Sequence, residues 1–124
     1  MTSANGPIGS GRRTRVYIAG PYTQGDVAVN VRNAFAAANR LADEGFAPFV
    51  PHGTHFWHLI FPRPHDFWLE LDKAFLPFCE AVLRLPGPSN GADQELALAK
   101  SLGIPVFEDE ASLLSYFPHA ERPA

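Results

Sequence analysis

The chain has one cysteine and no long apolar run among its 124 residues, and each scarcity excludes something. A lone thiol, Cys79, cannot form an internal disulfide, so the fold must rest on its core, as suits a reducing compartment. It lies in the apolar stretch Phe75-Leu76-Pro77-Phe78-Cys79, which predicts a buried, inert thiol. No segment approaches the roughly 18–20 consecutive apolar residues that a membrane helix needs. The first residues also lack the apolar core of a signal peptide, so a cytoplasmic protein is expected. Positive charge is not in excess: 10 Lys and Arg against 13 Asp and Glu leave a formal charge of −3. That argues against general affinity for polymeric nucleic acid or an anionic membrane. Two nucleotide signatures are missing as well. Gly20-Pro21-Tyr22-Thr23-Gln24-Gly25 is not a G-x-G-x-x-G fingerprint, and there is no Walker A motif. No cofactor is expected.

What is present is a globular composition, 46% hydrophobic and 19% charged, on a length that suits one domain. Residues 1–13 read as a flexible tail carrying a solvated cluster of Arg12, Arg13 and, just beyond, Arg15. Residues 14–118 read as the α/β domain and 119–124 as a C-terminal tail. Val16 to Gly20 is a β-rich run that ends in a Gly-Pro turn. Val27 to Glu44 places Val27, Val31, Ala34, Phe35, Ala38, Leu41 and Ala42 on one helical stripe, capped by Asp26 and closed by Gly45. Phe46 to Val50 is a second strand, with Pro48 favouring an edge. Pro51 to His65 is an irregular aromatic and histidine-rich loop, with a short helix near Phe56–Leu59. Asp66 to Phe78 is a helix with Phe67, Leu71, Ala74 and Phe75 inward. Ala81 to Leu85 is a strand, Ala92 to Leu102 a helix, Ile104 to Phe107 a strand and Glu110 to Tyr116 a last helix. This alternation predicts a flavodoxin-like α/β domain, a mostly parallel sheet of four to five strands with helices on both faces.

Ligands of such sheets bind beyond the carboxyl ends of the strands. Three segments reach that edge: Gly20 to Asp26, Pro51 to His65 and Pro86 to Glu95. The last opens a helix, so its backbone N–H groups and the positive helix end face the cleft. Gly91 lets the chain approach a ligand closely. Glu95, in the first turns of that helix, is the candidate reactive carboxylate, set against the ordinary enrichment of acidic residues at helix starts. His52, His55 and His58 fall at three-residue steps before His65 and Asp66, a spacing that can bind zinc on a helix, but Gly53 argues against one. No metal is expected. Phe56, Trp57 and Trp68 are the aromatic candidates for stacking on a ligand, or for lid and subunit packing.

Four segments in order carry a resemblance: Val16-Tyr17-Ile18-Ala19-Gly20-Pro21-Tyr22, Asn30-Val31-Arg32, Trp68-x3-Asp72, and Ser89-x-Gly-x3-Glu95-x3-Ala99. Together, over about Arg15 to Val106, the chain resembles the nucleoside 2-deoxyribosyltransferase-like superfamily. It is most similar to the small bacterial and phage members, with the nucleotide N-glycosidases as cousins. The resemblance implies Glu95 as nucleophile at C1′ of the sugar, Tyr17 as its orienter, and Asp72 as the group that binds the base and handles its proton. It implies Gly20, Tyr22, Trp68, Ser89, Gly91 and Arg32 as substrate-binding residues, and no metal. Ser89 matches a hydroxyl that contacts a 5′-phosphate in the nucleotide-cleaving cousins. The strand-1 loop, however, lacks the arginine those cousins use, leaving Arg32 or a tail arginine to substitute. The expected activity is hydrolysis of the N-glycosidic bond of a (deoxy)nucleoside 5′-monophosphate. Base exchange by a deoxyribosyltransferase and a non-catalytic nucleotide sensor are the alternatives. The aromatic excess in Phe56, Trp57, Phe61, Phe67 and Trp68, and relatives that complete their pockets from a neighbouring subunit, predict a homodimer or higher homo-oligomer.

Overall fold

A computed structural model describes residues 12–118. Its elements are β1 (Arg15–Ala19), α1 (Val27–Asp43), β2 (Ala47–Phe49), α2 (Thr54–Ile60), α3 (His65–Lys73), β3 (Ala81–Arg84), α4 (Asn90–Ser101), β4 (Val106–Phe107) and α5 (Glu110–Tyr116). The four strands form one sheet in the order β2-β1-β3-β4, and every neighbouring pair is parallel. This is the expected flavodoxin-like arrangement, with four strands.

Alternation along the strands decides what each face receives. Val16, Ile18 and Leu83 pack with Ala34, Ala37 and Leu41 of α1 and Leu113 of α5. Tyr17, Ala19 and Val82 face the other way, against Ala92 and Ala99 of α4, Leu76 and Cys79. Cys79 is buried, as its apolar setting predicts. The chain leaves β1 for β2 on one side and β3 for β4 on the other, so the loops after β1 and β3 part at the strand ends. That crevice is where an open parallel sheet binds its ligands. At their first residues, before they diverge, the two loops are in contact: a Cβ on Gly20 would lie 2.9 Å from Cβ of Leu85. Glycine at position 20 is therefore required by packing.

Several boundaries shift for physical reasons. The expected helix Asp66–Phe78 ends at Lys73, and a separate 3₁₀ turn covers Leu76–Phe78. Pro77 lacks the N–H that a continuous helix would use and disfavours α geometry in the residue before it. The inward stripe of α3 is also corrected. Trp68, Leu69 and Asp72 are buried, while Ala74 and Phe75 are exposed. A purely apolar stripe misses a helix that turns a carboxyl group inward. In α1, Phe35 likewise lies 42% exposed, and Ala37 takes its place in the core. The loop Pro51–His65 is more regular than expected, with a 3₁₀ turn at Pro51–Gly53 running into α2.

Of the expected N-terminal tail, Arg12 and Arg13 are among the described residues, and the arginine cluster there is engaged. Arg15 pairs with Glu80 at 2.7 Å and Arg12 reaches the same carboxylate at 3.4 Å. Arg13 donates to the carbonyls of Ala42 and Phe46, both at 3.0 Å, where the C-terminus of α1 favours a cation. The remainder of that tail, and the C-terminal tail 119–124, lie outside the described residues.

Candidate active site

Glu95 reaches the crevice because α4 begins where it does. Ser89 is extended and accepts a hydrogen bond on Oγ from the Ala92 N–H at 3.0 Å, a side-chain N-cap that starts the helix at Asn90. Ala92, Glu95 and Ala99 then form the buried stripe of α4. Glu95 is therefore held against the sheet, 6% exposed.

Its partner comes from β1. Tyr17 is fully buried and points to the α4 face, where its hydroxyl donates to the Glu95 carboxylate. The parallel register sets Tyr17 beside Phe49, and the two rings stack with centroids 5.4 Å apart. Phe75 in turn stacks on Phe49, with centroids 5.1 Å apart. The tyrosine ring thus has little freedom to turn its hydroxyl elsewhere.

Asp72 enters from α3, 7% exposed, and lines with Glu95 a cavity of about 50 Å³. Gly20, Tyr22, Trp68, Ser89 and Gly91 line it too. Of the expected site residues, Arg32 is the exception. It lies on the exposed side of α1 and lines a different crevice, with Arg40 and Glu110, on the opposite face of the sheet edge. The Asn30-Val31-Arg32 segment serves the site through Asn30, whose amide donates to the carbonyls of Tyr22 and Gln24 and fixes the β1 loop.

The electrostatics separate the two carboxyl groups. Burial pushes Asp72 up to about 8, and the negative charge of Glu95 adds to the rise. Burial pushes Glu95 up to about 7, against the opposing effects of the Tyr17 hydrogen bond and the charges of Arg84 and Lys73. Burial also raises Tyr17, with the Glu95 charge second, so its hydroxyl remains a donor. Two interacting carboxyl groups titrate as a unit. The Tyr17 hydrogen bond and the charges of Arg84 and Lys73 favour the ionised form at Glu95, whereas Asp72 has burial and the Glu95 charge against ionisation, so the pair favours a carboxylate beside a carboxylic acid. One group can attack while the other donates a proton.

The sequence reading missed His52, Thr54, His65 and Leu69 as parts of the same wall. His52, Thr54 and His65 fall within the Pro51–His65 segment already expected at the strand ends, but nothing in their spacing marks them as pocket lining. In the structure these histidines serve separate partners. His52 Nε2 donates to the Pro21 carbonyl at 2.9 Å, His55 meets Tyr22, and His58 accepts from the Trp68 indole at 2.9 Å. No group of three potential metal ligands converges among the described residues. Nor is any helix among them long and apolar enough to cross a membrane.

No curated protein matches the chain by sequence. Among the solved structures that match is a 2-deoxyribosyltransferase from Bacillus psychrosaccharolyticus, with a TM-score of 0.57 and 19% identity, covering 75% of this chain and 69% of that one. At that identity the likeness shows a shared fold. A family model matches residues 14–109, most of the 124-residue chain, which therefore belongs to the family described as Domain of unknown function (DUF7768).

Proposed function

We propose that this pocket performs substitution at C1′ of a nucleoside-type substrate through a glycosyl ester on Glu95. A Glu95 carboxylate oxygen attacks C1′ as the C1′–N bond breaks. The bonding pair leaves with the base, and Asp72 supplies the proton that neutralises it. Water then attacks C1′, gives its proton to the Asp72 carboxylate and releases Glu95. The single observation that carries this reading is a buried carboxylate, bonded by the Tyr17 hydroxyl, in one cavity with a second carboxyl group biased toward its protonated form. Such a pair suits a cationic sugar transition state and a basic leaving group. Hydrolysis to free base is the first reading. Base exchange is the second, favoured by the fold shared with a 2-deoxyribosyltransferase. Incubation with ribo- and deoxyribonucleosides and their 5′-monophosphates, following free base by chromatography, tests both. Base released without an acceptor supports hydrolysis, and release only when a second base is present supports exchange. No release from any substrate, with ligand still bound, would leave the sensor reading in place.

A 5′-phosphate has less support than the sugar chemistry. The Ala92 N–H is already taken by Ser89 Oγ, and Arg32 faces another crevice. We expect Ser89→Ala to destabilise the protein by about 1 kcal/mol through loss of the cap. The nucleotide-to-nucleoside preference should stay unchanged. A tenfold fall in that preference, measured beside the melting temperature, would give Ser89 the phosphate role instead.

A second copy of the chain is proposed to cover α2. None of its residues is buried, and Phe56, Leu59, Ile60 and the following Phe61 are each more than 60% exposed. Exposed apolar surface on this scale beside a pocket suits an interface between subunits. Light scattering at micromolar concentration should report a dimer or larger. Phe56→Glu with Ile60→Glu should shift it to monomer, and a monomeric wild type would reject the interface.

A further inference from the structure

The three histidines of the segment Pro51–His58 differ in how firmly their hydrogen bonds fix the ring protons. His52 Nε2 faces the carbonyl of Pro21 at 2.9 Å, so that nitrogen must carry a proton. His58 Nδ1 accepts from the Trp68 indole N–H at 2.9 Å and from the Arg63 backbone N–H at 3.2 Å, so that nitrogen must be bare. Both tautomers are dictated by partners that can act in only one sense. His55 is different. Its Nδ1 meets the Tyr22 hydroxyl at 2.6 Å, and a hydroxyl can donate or accept. Among the described residues, Nε2 of His55 has no hydrogen-bond partner, and the side chain is only half-buried, so water can exchange its proton. Either sense of the Tyr22–His55 bond is therefore open.

The consequence reaches the cavity because Tyr22 lines it. When His55 Nδ1 is bare, the Tyr22 proton points at the histidine and the tyrosine offers a ligand only lone pairs. When Nδ1 carries the proton, Tyr22 accepts from it and its own O–H is free to donate to a ligand. Glu95 must address C1′, so the sugar belongs at the α4 wall. The flat rings of Tyr22, His52 and Trp68, from the other walls, suit a planar base. We propose that Tyr22 and His55 form a reversible hydrogen-bonding pair that reads the base edge in either polarity, so the site accepts amino- and oxo-substituted bases alike. This rests on the reading of the pocket as a nucleoside site and adds to it the breadth of the substrate class. Tyr22 is the contact and His55 a positioning residue.

The test fixes the pair in one sense at a time. His55→Glu presents only an acceptor, so Tyr22 must donate to it and show the ligand lone pairs. His55→Lys presents only donors, so Tyr22 must accept and donate onward. Equilibrium binding of adenosine against inosine, and of cytidine against uridine, is measured on wild type and both variants. We expect wild type to bind the members of each pair within about threefold. The two variants should shift the amino-to-oxo ratio in opposite directions, by roughly five- to tenfold, the effect of one hydrogen bond. Adding Tyr22→Phe to either variant should abolish the shift, which loss of packing alone would not do. Ratios that stay at the wild-type value, or move the same way in both variants, would overturn the proposal. Wild-type protein that binds none of the four nucleosides would overturn the nucleoside reading and this proposal with it. Binding with no turnover would overturn only the catalytic reading.

Discussion

Glu95→Gln is expected to reduce turnover by about a thousandfold or more while leaving the protein folded and slightly more stable. The substitution keeps an acceptor oxygen for the Tyr17 hydroxyl and keeps the volume of the side chain in the buried stripe of α4. What it removes is the negative charge and the lone-pair basicity that an attack on C1′ requires. Loss of a covalent route is among the largest single-residue effects in catalysis, because no other group stands in the same position. The expected stability gain has its own cause. Burial raises Glu95 to about 7, so an ionised carboxylate is costly in that site, and a neutral amide escapes the cost. The pairing of lost activity with an unchanged or higher melting temperature separates a catalytic residue from a structural one. Mass spectrometry of wild-type protein quenched during turnover should show an increment of one sugar on the peptide holding Glu95. A variant that retains near wild-type rates would remove the covalent mechanism.

Tyr17→Phe is expected to act on the same group more mildly, through orientation. Without the hydroxyl, Glu95 loses its donor from β1 but keeps the ring stack that shapes the wall behind it. A fall in kcat with KM little changed is the expected signature, and equal kcat for the variant would reject the positioning role.

Much of the fold was legible because period and punctuation agreed. Val16 to Ala19 alternates between the two faces of the sheet, and the α1 stripe runs from an Asp26 cap to Gly45. Gly45 has a φ of 95°, the left-handed geometry that its place after the helix called for. The site was legible through residue order, since Tyr17, Asp72 and Glu95 are far apart in the chain and meet only through β1, α3 and α4. What stayed hidden were features that a linear pattern does not encode. The face of α3 was misjudged because a buried acid breaks the apolar rule. The resemblance implies Arg32 at the ligand, but a motif match does not tell which side of the sheet edge each of its residues faces. The roles of the histidines stay hidden because their partners Pro21, Tyr22 and Trp68 come from segments on both sides of them in the chain.

Asp72→Asn is expected to slow the reaction by about a hundredfold to ten-thousandfold for bases that need protonation on leaving, the usual range for a general acid. Substrates with a good leaving group, which depart as stable anions, should lose far less. Equal losses for both classes would contradict the acid role. The pH profile gives a second readout. Activity needs Glu95 ionised and Asp72 protonated, which sets a bell-shaped profile with limbs near 7 and 8. Asparagine cannot ionise, so the variant should lose the alkaline limb and keep the acid limb that reports Glu95. Stability should move with pH in a definite sense. Both carboxyl groups lie above their ordinary values of 3.8 and 4.5 in the fold, so folding favours their protonated forms. That contribution is complete below the ordinary carboxylate range and is lost as pH rises through about 7 and 8. The melting temperature of the wild type should therefore fall between pH 5 and pH 9, by an amount equivalent to roughly a few kcal/mol. Asp72→Asn removes one of the two buried charges that form over that range and relieves the repulsion on the other. Its melting temperature should decline less steeply and exceed the wild-type value at the alkaline end. A wild-type melting temperature that rises with pH would mean that the two carboxyl groups are not buried together as the site requires.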